Sequence, residues 1–159
     1  MKTLKRIAIC FSLICLFVNT LKLQAAEIGD IVDGSILTDL SEVEGETQHK
    51  ERGTYLAYGS AKLTNQGNHV LYVWGSTTCY QTSNQVKVTL YLQKLVNGTW
   101  SNVTTLSTKT AYNTNYVSNS KSVSVTGGYY YRIKGTHTAI KGKTTETTSS
   151  STDGMWVSK

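Results

Sequence analysis

"VKVTLYLQ", Val86 to Gln93, is the stretch on which the fold turns. Val86, Val88, Leu90 and Leu92 alternate with Lys87, Thr89, Tyr91 and Gln93, so all eight positions obey a period of two. A chain that alternates in this way buries one face of a pleated strand and leaves the other in water. Asn97–Gly98 comes next, and both residues accept the positive φ of a tight hairpin turn, so "TWSNVTTLS", Thr99 to Ser107, returns as the partner strand.

The same texture extends in both directions. "TYLAYGSAKL", Thr54 to Leu63, predicts an earlier strand in which Gly59 marks a bulge or a close approach. "NQGN" at Asn65 to Asn68 turns the chain into "HVLYVWG", His69 to Gly75. After a polar link from Thr110 to Asn119, "KSVSV" (Lys121–Val125) and "YYYRIKG" (Tyr129–Gly135) flank Thr126–Gly127–Gly128 as a second predicted hairpin. A Ser/Thr-rich loop from Thr144 to Thr152 precedes a closing strand, "GMWVS". About seven short strands, no helix and no proline predict an all-β domain, an antiparallel β-sandwich, over residues 53–159.

Residues 1–26 read differently. Lys2, Lys5 and Arg6 precede a 12-residue apolar run, Ile7 to Val18, and then "LQAA". This is the plan of a secretory signal peptide, and the run is shorter than the roughly 20 residues a membrane span needs. The expected location is therefore extracellular, with no stable membrane span after cleavage. The leader carries Cys10 and Cys15 away, leaving Cys79 as a buried small hydrophobe or a thiol open to intermolecular pairing.

Beyond the leader, charge is strongly segregated. From Glu27 to Glu51 there are eight carboxylates against Lys50, whereas from Arg52 onward eleven basic residues face only Glu146 and Asp153. An acidic, poorly structured arm over residues 27–52 thus precedes a basic domain. The asymmetry predicts attraction, either of the arm to its own domain or of the domain to an anionic partner.

The side chains that could carry chemistry are sparse. His69, His137, Cys79, Glu146 and Asp153 match no zinc, calcium or histidine-helix spacing, and nothing beside Cys79 supplies an oxyanion turn. The expectation is a chain with no cofactor, no metal and no catalytic residues, with His137 and Glu146 bracing a loop together. Basic residues spread over many strands, with no nucleic-acid module, also argue against nucleic acid as a partner.

Alternation in "YYYRIKG" sets Tyr129, Tyr131 and Ile133 against Tyr130, Arg132 and Lys134. With the first set in the core, the second forms an outward phenol beside two cations, extended by Lys87 and Tyr91 if the two strands share a sheet. Such a surface can stack on sugar rings and pair with phosphate or sulfate. The same pattern also suits an ordinary solvated sheet face guarded by lysines.

The order "GTYLAYGSAKLTNQGN", "VKVTLYLQKLVNGTW", "GGYYYRIKGTHTAIKGKTTETTSSSTDG" resembles a group of small secreted proteins of Gram-positive bacteria that form a domain of unknown function. The resemblance covers roughly Arg52 to Val157 and implies export and a compact domain, with no activity or site residues to carry over. Two functional expectations remain. One is a secreted, non-catalytic module binding an anionic polymer or glycan at a cell surface. The other is a membrane-active or bacteriocin-like antagonist held inactive by its acidic arm, although no strand has the continuous apolar face that lipid requires.

Overall fold

The computed structural model describes residues 26–47 and 53–159, so the leader expected over residues 1–26 lies, but for Ala26, outside the described residues. The chain is all-β, as its alternation predicts. Among the described residues nine strands run in order: β1 (Ile31–Val32), β2 (Ser35–Thr38), β3 (Glu42–Glu46), β4 (Leu56–Asn65), β5 (Val70–Val96), β6 (Thr99–Ser124), β7 (Tyr129–Lys141), β8 (Thr144–Ser151) and β9 (Gly154–Val157).

The predicted pair of separate antiparallel sheets is replaced by one curled sheet, ordered β1-β2-β9-β7-β5-β4-β3, with β6 on the remaining edge of β5 and β8 beside β7. The sheet is mixed, because β2 runs parallel to β9 through Leu37↔Gly154 and Thr38↔Met155. Every other pairing is antiparallel.

β5 organises the molecule. It fuses "HVLYVWG" and "VKVTLYLQ" into one strand of 27 residues and stays paired with β6 along most of its length. The pairing breaks between Thr78 and Ser83, and there β5 exchanges its other neighbour, leaving β4 at Cys79 and meeting β7 at Gln85. The interruption lets the sheet curl, so that its two halves face each other across the core. A Cβ on Gly59 of β4 would lie 2.1 Å from the His137 ring of β7, and one on Gly75 would lie 2.5 Å from Leu90. Only a residue without a side chain permits such an approach.

Alternation decides what enters the core. Ala61, Leu63, Leu71, Val73, Val86, Val88, Leu90, Leu92, Ile133 and Met155 are all buried in one cluster. Cys79 belongs to it as a free, buried thiol whose pKa burial pushes up. At roughly 1.5–3 kcal/mol for each large apolar side chain fully buried, this cluster is the main stabilising term.

Three segments depart from expectation. The arm predicted to be poorly structured carries β1, β2 and β3, the last matched to β4 over five register pairs. Short apolar pairs such as Ile31–Val32 show no period of their own and form strands only because neighbours complete them. Lys121–Val125 and Tyr129–Gly135 do not pair as a hairpin. The former, up to Ser124, lies in β6 along β5, and the latter opens β7, with β5 on one side and β9 and then β8 on the other. Finally, the predicted loop over Thr144–Thr152 is mostly β8, whose hydroxyl side chains suit an outer strand on β7.

Candidate functional site

Register places Tyr91 of β5 directly opposite Lys134 of β7, and Lys87 opposite Thr138, so these two strands do share one outer face. Thr89 and Thr136 fill the row between them. Lys134 is exposed, and Tyr91 and Lys87 are partly so. Same-face residues along a strand stand ~6.7 Å apart, so Lys87 and Tyr91 bracket a patch ~13 Å long.

Tyr130 and Arg132 do not join this open patch. They lie on the outward face, as alternation predicts, but Arg132 is only 2% exposed and Tyr130 7%. The cover is the β1–β2 hairpin, which belongs to the acidic segment and not to the basic β-domain. Arg132 Nη2 donates to Asp33 Oδ2 at 2.6 Å, and Nη1 donates to the Asp33 carbonyl and to Ser35 Oγ, each at 3.0 Å. Nε donates to Gln93 Oε1 at 2.9 Å, and the guanidinium stands 4.5 Å from the centre of the Trp100 ring. The planar fork of arginine matches this set of acceptors in a way a lysine could not.

Around that ion pair, Leu37, Leu95 and Tyr130 form a second apolar cluster with Val32, Trp100 and Trp156 against it. Trp100 Nε1 donates to the Val32 carbonyl at 3.0 Å, and the Tyr130 and Trp156 rings meet at 4.9 Å. Burial raises the Tyr130 pKa, whereas the hydrogen bond from Arg132, and then its charge, hold the Asp33 carboxyl below the usual carboxylate range. Of the two attractions the charge pattern allows, the structure shows the first, between the arm and its own domain. The signal was present in sequence as an acid-rich segment beside a basic domain, but nothing in it paired Asp33 with Arg132.

His137 and Glu146 are both structural, but not with each other. His137 is fully buried between the two halves of the sheet, with Nδ1 2.9 Å from Thr77 Oγ1 and Nε2 2.8 Å from Ser150 Oγ. Burial lowers its pKa to about 4, and a backbone hydrogen bond with Ser76 opposes this only in part. Glu146 lies opposite the buried Ala139 in the register, on the same face, and accepts the backbone N–H groups of Thr54, Tyr55 and Leu56 at 2.8, 3.0 and 2.7 Å. Burial pushes its carboxyl up, but those donors outweigh it and hold the pKa below the ordinary range. Glu146 therefore ties β8 to the start of β4.

Among the described residues no three His, Cys, Asp or Glu side chains gather as metal ligands do. What the open face can do is bind by charge, by stacking on a phenol and through hydroxyl groups.

A family model described as "Family of unknown function (DUF6147)" matches residues 31–155. That span runs from β1 into β9 and so includes the hairpin that covers Arg132. No curated protein and no solved structure matches the chain.

Proposed function

The chain belongs to this family of unknown function, and from that premise we propose that it is an exported, non-catalytic protein that binds an anionic polymer or glycan at a cell surface. The observation that carries the proposal is the register pair Tyr91↔Lys134, with Lys87 on the same face. A cation beside an accessible phenol, spaced by threonine hydroxyls, offers charge, a stacking surface and hydrogen bonds to a sulfated, phosphorylated or carboxylated sugar chain. Export is supported by the three-part leader and by the resemblance to secreted proteins. A non-catalytic role is supported by the burial of His137 and Cys79, and by the isolation of the exposed His69, which has no Cys, Asp or Glu beside it in the surface pocket it lines with Asn65, Gly67, Asn68, Val157 and Ser158. The reading as an antagonist with a removable acidic arm is disfavoured, because β3 is an integral strand of the sheet.

Retention of the full mature chain on immobilised dextran sulfate, against neutral dextran, tests this. Binding is expected only to the sulfated matrix, falling as salt screens the charges. The double variant Lys87→Ala/Lys134→Ala is expected to bind about fivefold more weakly, since exposed ion pairs are each worth less than about 1 kcal/mol. Equal retention of parent and double variant, or no retention of the parent, would sink the proposal.

A further inference from the structure

The outer face of the other half of the sheet has a different composition. Register and alternation set three rows across β3, β4, β5 and β6. Glu44, Lys62, Trp74 and Ser120 form one row, and Glu46, Ser60, Ser76 and Ser118 the next. In the third, Tyr58 of β4, Thr78 of β5 and Tyr116 of β6 stand side by side. Beyond the first row comes Tyr72, between Thr64 and Ser122. All of these residues point away from the core, because their strand neighbours Ala61, Leu63, Leu71, Val73, Thr77 and Val117 point into it.

The middle row is a recessed floor. Ser60 and Ser76 are only 4% and 3% exposed although they face outward. Both are short side chains on the row next to those of Trp74, Tyr58 and Tyr116, and they stand lower than those rings, of which Tyr58 and Tyr116 on one wall are 39% and 46% exposed. The result is a shallow trough, ~13 Å between the backbones of its two walls, floored by hydroxyl groups and walled by aromatic rings. Ser60 Oγ donates to Glu46 Oε1 at 3.4 Å, which places a carboxylate at one end of the floor.

From this arrangement we infer that the Trp74–Tyr58–Tyr116 trough is a second binding site, and that its ligand is a neutral, β-linked hexopyranose polymer. Such a chain has flat C–H faces, which stack on aromatic rings, and hydroxyl edges, which match a serine floor. Sites of this kind combine apolar contact area with a few placed polar groups. Charge selects neutral over anionic polymers. Glu44 and Glu46 stand at the β3 end of the trough, and Lys62 is already held by Glu42 of the adjoining row at 2.6 Å, so an approaching polyanion meets carboxylates. This site does not rest on the cationic face around Lys134, which lies on the other half of the sheet.

Depletion of the full mature chain from solution by insoluble chitin and by regenerated cellulose tests the inference. The parent is expected to bind at least one of the two, with little dependence on salt. Trp74→Ala, which removes an aromatic wall, is expected to weaken binding about tenfold, the loss typical of a buried aromatic anchor. Ser118→Trp fills the end of the trough from edge strand β6 without entering the core, and is expected to do the same with an unchanged melting temperature. It keeps the test decisive if Trp74→Ala fails to fold. The variant Lys87→Ala/Lys134→Ala is expected to bind both solids as the parent does. A parent left in the supernatant by both solids overturns the inference, as does a Ser118→Trp protein that binds like the parent. Loss of binding in the lysine variant overturns it too, by placing the contact on the other face. Dextran sulfate retention is read separately, so failure here leaves the cationic-face proposal standing, and the converse holds.

Discussion

Arg132 and His137 show how far single residues carry the structure. The triplet Tyr130, Arg132 and Lys134 was legible as an outward set because alternation is a backbone rule. Whether an outward residue reaches water depends on what lies over it, and the hairpin over Arg132 begins about 100 residues earlier in the chain. His137 was legible only as structural, and its partners, Thr77 and Ser150, come from two different strands. Its folded pKa of about 4 lies below the ordinary 6.5. The unfolded chain therefore takes up the proton first. The stability this residue contributes is complete above pH 6.5 and is lost as the pH falls to about 4, below which the loss levels off. The amount is about 3 kcal/mol, at 1.36 kcal/mol for each pH unit between the two values. Urea unfolding at neutral pH and near pH 4.5 should show most of this difference. His137→Gln should unfold more easily at neutral pH but with a much smaller pH dependence across that window. An unchanged dependence would mean that other groups set it.

At the scale of elements, clean alternation found β5 and β6 but not their lengths. "HVLYVWG" and "VKVTLYLQ" read as two strands because Tyr80, Gln81 and Thr82 between them are polar or exposed, which is what the bend of a continuous strand also looks like. The β1–β2 hairpin was not legible, since strands of two and four residues leave no periodic trace and are held by distant partners: Arg132, Trp100, the Thr152–Asp153 turn and β9. Removing the guanidinium tests that dependence. Arg132→Met should destabilise the protein by roughly 2 kcal/mol, the loss of hydrogen bonds from a charged donor to Ser35, Gln93 and the Asp33 carbonyl, while the Asp33 carboxylate left behind stays in water. Limited proteolysis should then cut first between Ile28 and Thr38, ahead of any site in β4 to β9. If the variant melted like the parent with the hairpin equally protected, the ion pair would be incidental to docking.

At the scale of the whole molecule, the curl of one sheet about β5 gives two outer faces with different chemistry. One presents Lys87, Tyr91 and Lys134 among threonines, and the other presents Trp74, Tyr58 and Tyr116 above serines beside an acidic strand. Net charge alone suggested a single basic domain, because composition averages over faces that the fold keeps apart. If the face around Lys134 is the anion-binding surface, amide NMR of the full mature chain titrated with a short dextran sulfate locates the contact directly. Shifts should concentrate in residues 85–93 and 132–140, with β3 and β4 unmoved. Shifts centred on β3 and β4, shifts confined to the β1–β2 hairpin, or no shifts at all would contradict that assignment.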